Sequence, residues 1–255
     1  MAPWTGFPHP LYAFDLASLR VAWPRLHLGD AEPLPQDEAV LEAWCWFHAG
    51  EFRKAVDAGL AAAGAGITAA NKAQITYAGY LEPSERVRMA LYRQAAERAE
   101  AQTATAPDNA NAHYLMGCAL GRYGQSISVG KAIAQGLGIK VRAALETALR
   151  LQPAHAEAHI VLGAFHAEVI DKVGALVGRT QGASIETGLR LLRQALKLAP
   201  HSALARLEYA KALLMLEGEK HLPEADRLCQ EAAACEPADA IERLHVERAR
   251  AELLD

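Results

Sequence analysis

The sequence has few aromatic residues and no excess of positive charge, and each scarcity excludes a class of protein. Phe, Trp and Tyr together make up 6% of the 255 residues. Because aromatic and β-branched residues favour strands, their low use argues against an all-β sandwich or barrel. The formal net charge is −4, whereas a duplex-binding surface needs a basic excess to displace counterions from phosphates. We therefore expect no general nucleic-acid binding.

Long apolar runs and closely paired cysteines are also missing. The longest uncharged stretch of the helical part, Ala58–Asn71, is too short and too rich in glycine to cross a bilayer, so no membrane span is expected. No Lys or Arg precedes Arg20, whereas a secretory signal begins with basic residues. No two of the cysteines form a C-x-x-C pair, which favours buried free thiols in a reducing compartment; these are Cys45, Cys118, Cys229 and Cys235. These features predict a cytoplasmic protein.

Alanine, the strongest helix former, is abundant instead, and prolines divide the alanine-rich part into similar segments. Pro107, Pro153, Pro200 and Pro237 each follow one helical pattern and precede the next amphipathic pattern. Their spacings are 46, 47 and 37 residues. The tetratricopeptide (TPR) repeat is a helix–turn–helix of about 34 residues, so the spacings fit this repeat if the longer segments carry insertions.

Small residues recur at matching distances from these prolines. One set lies ten residues after a proline, and the other lies five residues before the next one; the sets are Gly117, Gly163 and Ala210, and Ala148, Ala195 and Ala232. TPR repeats place small residues where their helices touch. The pattern predicts an all-α fold, a TPR-like right-handed superhelix of about four or five helical hairpins. The inter-helix insertions, at about Gln125–Gly138 and Val169–Ala183, could form a mobile lid or helix extensions packed on a neighbouring repeat.

The two ends of the chain differ from the repeats. Residues 1–36 hold six of the twelve prolines and several aromatic residues. We interpret them as an aromatic, proline-rich N-terminal arm packed on the repeats, with regular helix confined to Leu11–Arg20. Residues 37–255 form the TPR-like helical repeat domain, in which the helices between residue 66 and Pro107 make a degenerate unit. The final segment, Ala240–Leu253, is interpreted as a C-terminal capping helix.

Residues Ala112 to about Leu214 resemble the regulator of microtubule dynamics family and the T-component proteins associated with TRAP transporters. The resemblance rests on the helices that contain Gly117 and Gly163, on Ile139–Lys140 before a second helix, and on the two insertions. It implies an all-α superhelix, a binding or scaffolding role without catalysis, and a groove or channel for an extended or apolar ligand.

The first helix of each TPR pair lines the concave surface of the stack, and this rule gives a candidate groove. We predict that it grips an unknown protein, a peptide, a partner helix or an apolar small molecule. Its lining residues are Trp44, Phe47, His48, Tyr114, Cys118, Arg122, Ile160, Glu168, Leu207, Lys211 and Leu214. The alternative is that the arm or the insertions fill the groove and that the chain is a structural homo-oligomer.

No catalytic, metal-binding or cofactor-binding motif is recognised. In "GQSISVGKA", five residues separate Gly124 from Gly130, whereas a phosphate-binding loop needs four and a Ser or Thr after its Lys. His155, His159 and His166 share one helix, but they lack an H-E-x-x-H motif and are interpreted as core or interface residues. A small-molecule or metal-dependent enzyme is therefore the least favoured function.

Overall fold

The computed structural model describes residues 4–254 and contains α-helices and one short 3₁₀ turn, with no strand in that range. The predicted all-α class is confirmed. The helices are α1 (Leu16–Leu26), α2 (Glu38–Ala49), α3 (Phe52–Ala62), α4 (Gly66–Tyr80), α5 (Glu85–Thr105), α6 (Ala110–Gln125), α7 (Val129–Ala134), α8 (Leu137–Leu151), α9 (Ala156–Thr180), α10 (Ile185–Leu198), α11 (Ala203–Glu217), α12 (Leu222–Ala233) and α13 (Ala240–Glu252).

The predicted proline boundaries all lie in the connections between helices. Pro107 precedes α6, and the side chain of Asn109 caps this helix by accepting the N–H of Ala112 at 3.0 Å. Pro200 precedes α11, where the Ser202 hydroxyl accepts the N–H of Ala205 at 3.1 Å. Such caps satisfy backbone donors that have no partner within the helix. Proline stops one helix and a polar cap begins the next.

The chain divides into two compact units. Unit 1 comprises the chain up to His27, Glu32–Leu151 and Asp239–Ile241, and unit 2 comprises Leu28–Ala31, Gln152–Ala238 and the chain from Glu242. The sequence predicted another division, at residue 36, between an N-terminal arm and a single repeat domain. The two compact units do not test that division, and it stays a prediction.

Unit 1 contains three helix pairs, α2/α3, α4/α5 and α6/α8. The α6/α8 pair packs closely at Gly117, where an added Cβ would stand 2.7 Å from Cγ of Leu145. The α4/α5 pair combines buried apolar side chains, such as Ala95 and Ala96 packed with Ile75, with a polar contact in which Gln102 Nε2 donates to Thr68 Oγ1 at 2.9 Å. The segment expected to be a degenerate unit is thus a regular hairpin with a polar contact.

Unit 2 contains the pairs α9/α10 and α11/α12. At Gly163 in α9, an added Cβ would stand 2.6 Å from Cγ of Leu192 in α10. Helix α13 covers the last pair, because its residues Val246 and Ala249 pack with Ala232 of α12. Glycine therefore occupies equivalent contacts in the two units, while the capping role predicted for α13 stays a prediction.

The two insertions have helical structure. In the first, the short helix α7 lies between α6 and α8. In the second, α9 continues through the inserted residues to Thr180, with a break at Gly174, whose φ of 78° favours glycine. Leu176 beyond this break is exposed.

The predicted position of the first helix was wrong. The sequence placed it at Leu11–Arg20, whereas α1 spans Leu16–Leu26. Asp15 begins the helix because its carboxylate accepts the N–H of Ser18 at 2.7 Å, while the Ser18 hydroxyl accepts the N–H of Asp15. Pro24 lies in the last turn, where the lost hydrogen bond interrupts little of the helix.

Candidate functional site

The predicted groove residues on α2 lie in the interior of unit 1. Trp44, Phe47 and His48 are almost completely buried. Trp23 of α1 meets Trp44 edge to face, with 5.9 Å between ring centroids. Phe14 meets His48 in the same manner at 5.9 Å. The cover over Trp44 and His48 therefore comes from the chain's own first 36 positions.

His48 also belongs to a buried polar cluster. Its Nδ1 lies 2.6 Å from Oδ2 of Asp239, and its Nε2 lies 3.1 Å from Nε2 of His27. Because Nδ1 faces a carboxylate, it carries a proton and donates it, and the second contact holds one proton between the two Nε2 atoms. The cluster connects α1, α2 and the residue before α13. Sequence reasoning missed it because 21 and 191 residues separate its members.

Residues 4–14, here called the N-terminal segment, lie on the helices that follow. Trp4 stacks on Tyr77 of α4 with ring centroids 3.8 Å apart and planes 11° apart. Phe7 meets Phe52 of α3 edge to face at 6.3 Å. The N–H of Tyr12 donates to the carbonyl of Ala49 at 3.3 Å. The segment lacks regular secondary structure and uses aromatic side chains as its anchors.

The predicted residues on α6 differ in accessibility. Tyr114 and Cys118 are buried, while Arg122 is half-buried and donates from Nη1 to Gln125 Oε1 at 3.2 Å. Of these three side chains, Arg122 has the greatest access to solvent.

The predicted residues of unit 2 also divide into two groups. Ile160 and Leu207 are in the core. Glu168 of α9 and Lys211 of α11 are half-buried, and Lys211 Nζ forms an ion pair with Glu252. Leu214 is 37% exposed. Helices α9 and α11 pack side by side in this unit, so these accessible side chains lie on neighbouring helices.

The three histidines considered as metal ligands make structural hydrogen bonds. His155 Nδ1 accepts the N–H of Ala158 as the cap of α9, and His166 Nδ1 accepts the N–H of Ser184. His159 Nε2 donates to the carbonyl of Pro153 at 3.0 Å, and burial lowers the pKa of His159. Within residues 4–254, no group of three or more His, Cys, Asp or Glu residues is arranged to hold a metal ion.

Two other buried side chains have shifted pKa values. Burial raises the pKa of the Cys45 thiol to about 11. Burial also raises the pKa of Tyr77, whose hydroxyl donates to Glu82 Oε2 at 2.8 Å. Both groups are consequently neutral at physiological pH. Among the helices of residues 4–254, none combines the length and hydropathy that crossing a bilayer requires.

Comparisons with known proteins agree with this architecture. Residues 69–255 match the family model for regulator of microtubule dynamics protein 1-3. The structure is similar to TTC0263, a thermophilic TPR protein of Thermus thermophilus, with a TM-score of 0.59 and 17% identity over 84% of this chain and 97% of that one. No match is found among curated protein sequences.

Two structures of IFIT1 are also similar, although less closely. A monomeric mutant with Gppp-AAAA has a TM-score of 0.46 and 15% identity over 93% of this chain and 59% of that one. The human IFIT1 dimer with PPP-AAAA has a TM-score of 0.43 and 15% identity over 92% of this chain and 62% of that one. This chain thus spans less than two thirds of the length of IFIT1.

The similarity to TTC0263 confirms the predicted TPR-like fold, with helical hairpins and inter-helix insertions. The family match confirms the resemblance to the regulator of microtubule dynamics family and extends it in both directions beyond Ala112 and Leu214, while the resemblance to the T-component proteins stays a prediction. Because the family model covers well over half of the sequence, the chain belongs to the regulator of microtubule dynamics protein 1-3 family.

Proposed function

We propose that this chain is a non-catalytic binding protein that holds a partner peptide or helix on unit 2. The TPR-like fold supports a scaffold or binding role. The observation that carries the proposal is the exposure of two adjacent apolar side chains on α11, Leu214 at 37% and Met215 at 40%. Their neighbour Leu213 is fully buried, so the core of unit 2 is complete without them.

The surroundings of these side chains favour a polypeptide partner. Lys211 lies one turn before Leu214 on α11 and is paired with Glu252, and Glu168 lies on α9, which packs against α11, so both charge signs occur on these two helices. An apolar centre with a charged rim is typical of surfaces that hold an amphipathic helix or an extended peptide. The negative charge of the whole chain disfavours a nucleic acid.

Binding without catalysis is proposed because the histidines considered as metal ligands or bases make hydrogen bonds to the backbone. His155 and His166 accept backbone N–H groups, and His159 donates to a backbone carbonyl. Each ring nitrogen used in this way is unavailable as a general base or a metal ligand.

Substitution of Leu214 tests this proposal. A partner captured by the immobilised wild-type chain is identified by mass spectrometry, purified and titrated calorimetrically against wild type and Leu214→Asp. A carboxylate in the apolar centre is expected to raise the Kd at least about tenfold, or about 1.4 kcal/mol.

Val21→Asp is the matched control, because Val21 is an exposed apolar residue of α1 in unit 1. This variant is expected to bind with the wild-type Kd. Equal Kd values for Leu214→Asp and wild type would contradict the proposed surface.

A second candidate function is a structural homo-oligomer with a self-occupied groove. It is favoured by the burial of Trp44 and His48 beneath residues of the same chain. Light scattering on the purified protein tests it, since a monomer at micromolar concentration would contradict this candidate.

A further inference from the structure

The surface beneath the N-terminal segment has the features of a peptide-binding site. It is formed by the end of α2, the start of α3 and the second half of α4, all within unit 1. It does not depend on the surface proposed for unit 2. Aromatic side chains of the segment bind at two positions on this surface. One is the ring of Tyr77, and the other is the backbone at Gly50.

Tyr77 is oriented as a platform for an indole ring. Trp4 stacks on it in nearly parallel planes, and the Arg53 guanidinium lies 5.6 Å from the centroid of the Trp4 ring. The Tyr77 hydroxyl donates to Glu82 and accepts the N–H of Thr5 at 3.2 Å. Tyr77 therefore binds two features of the segment. Its ring stacks on the indole of Trp4, and its hydroxyl accepts the N–H of Thr5, the next residue.

Gly50 forms the second binding position. Because glycine has no side chain, a notch remains here, between Gly50 and Phe52, and it holds the phenyl ring of Phe7. A Cβ at this position would stand 2.9 Å from two ring carbons of Phe7, so any other residue would displace the ring. Phe52 closes one side of the notch by meeting Phe7 edge to face. The two places together select Trp and Phe three positions apart in a chain without helical structure.

The N-terminal segment is attached less firmly than the helix that follows it. Its anchors Trp4 and Phe7 are half-buried, whereas Leu19 and Trp23 of α1 are buried in the core. The backbone bonds at Thr5 and Tyr12 measure 3.2 and 3.3 Å, at or just beyond the upper end of the usual N–H···O range. The part of the segment that carries Trp4 and Phe7 can therefore leave while Phe14, which packs on His48, and α1 remain in place.

We propose that this surface docks an extended partner segment with a Trp-x-x-Phe spacing and that residues 4–14 occupy it as an intramolecular competitor. The occupant seen in the structure defines the chemistry of the partner: an indole for Tyr77, a phenyl ring for the Gly50 notch and a backbone N–H after the indole. The partner binds after the part of the segment that carries Trp4 and Phe7 has left.

The test uses the full chain and a fluorescent synthetic peptide that copies residues 3–15. Trp4→Ala/Phe7→Ala vacates the surface without changing any residue that forms it. Fluorescence anisotropy is expected to show that this double variant binds the peptide about tenfold more tightly than wild type, because a tethered competitor acts at millimolar effective concentration. Leu11→Ala, a matched control at an exposed apolar position of the segment, is expected to behave like wild type.

Two further measurements locate the bound peptide. A peptide with alanine at both aromatic positions is expected not to bind. Adding Arg53→Ala to the double variant is expected to weaken binding several-fold; this exposed substitution preserves the fold, which circular dichroism verifies.

The proposal is overturned if the peptide binds wild type and the double variant equally or binds neither. It is also overturned if wild type elutes as a dimer that the peptide dissociates, because the occupant would then be a second copy of this chain.

Discussion

A close helix contact of unit 1 gives a prediction in which two neighbouring glycines have opposite effects. Gly117 and Gly121 both lie inside α6, where replacing glycine by alanine gains up to about 1 kcal/mol of helix propensity. An alanine Cβ at Gly117 would stand 2.7 Å from Cγ of Leu145, which is fully buried and has no room to retreat. At Gly121, the nearest atom is Val141 Cγ1 at 3.9 Å, an ordinary contact.

Overpacking a core costs about 1–3 kcal/mol. We therefore expect Gly117→Ala to lower the free energy of unfolding by up to about 2 kcal/mol after the propensity gain, and Gly121→Ala to raise it by about 0.5–1 kcal/mol. The difference between the two variants, about 0.5–3 kcal/mol, corresponds to a melting-temperature difference of about 1–12 °C for a chain of this size. Urea titrations and thermal scans followed by circular dichroism measure both. A Gly117→Ala variant as stable as Gly121→Ala would refute the close contact.

Three other substitutions or modifications test individual contacts. Asn109→Ala is expected to cost about 1 kcal/mol by removing the cap of α6. Asp239→Asn removes the charged acceptor of His48 and is expected to cost about 1.5–3 kcal/mol in urea unfolding; no loss would show that the pair is dispensable. Because burial raises the pKa of Cys45 from 9.0 to about 11, its thiolate fraction at pH 8 is about 100-fold lower than in the unfolded chain. Iodoacetamide labelling followed by mass spectrometry should be slower by at least this factor in the native protein. This residue also destabilises the fold as the pH rises from 9 to 11, since the unfolded thiol ionises first.

The repeat boundaries were predictable from sequence because they depend on local chemistry. Proline ends a helix wherever it follows one, and Asn109 or Ser202 can cap the next helix without help from distant residues. Gly117 and Gly163 were informative because a close helix contact excludes a side chain at one position per pair. The hairpin α4/α5 was described as degenerate because its polar contact, Gln102 with Thr68, follows no repeat pattern, although α5 also buries alanines such as Ala95 and Ala99.

The burial of the candidate groove residues on α2 was not predictable from local sequence. Repeat positions predict which residues of α2 line a groove, but they do not indicate that Trp23 packs on Trp44 or that Phe14 packs on His48. The pairing of His48 with Asp239 depends on where the chain returns 191 residues later. Such contacts follow from tertiary packing, which no local pattern encodes.

In the helix pairs α6/α8 and α9/α10, a glycine contacts the partner helix so closely that no side chain fits. The coupling free energy between positions 163 and 192 measures this close contact most directly. Leu192 Cγ is the atom that an alanine Cβ at position 163 would meet at 2.6 Å. A double-mutant cycle on the free energy of unfolding should show that Gly163→Ala costs at least about 1 kcal/mol less in the Leu192→Ala background than in wild type. An equal cost in both backgrounds would contradict the account of how these helices pair.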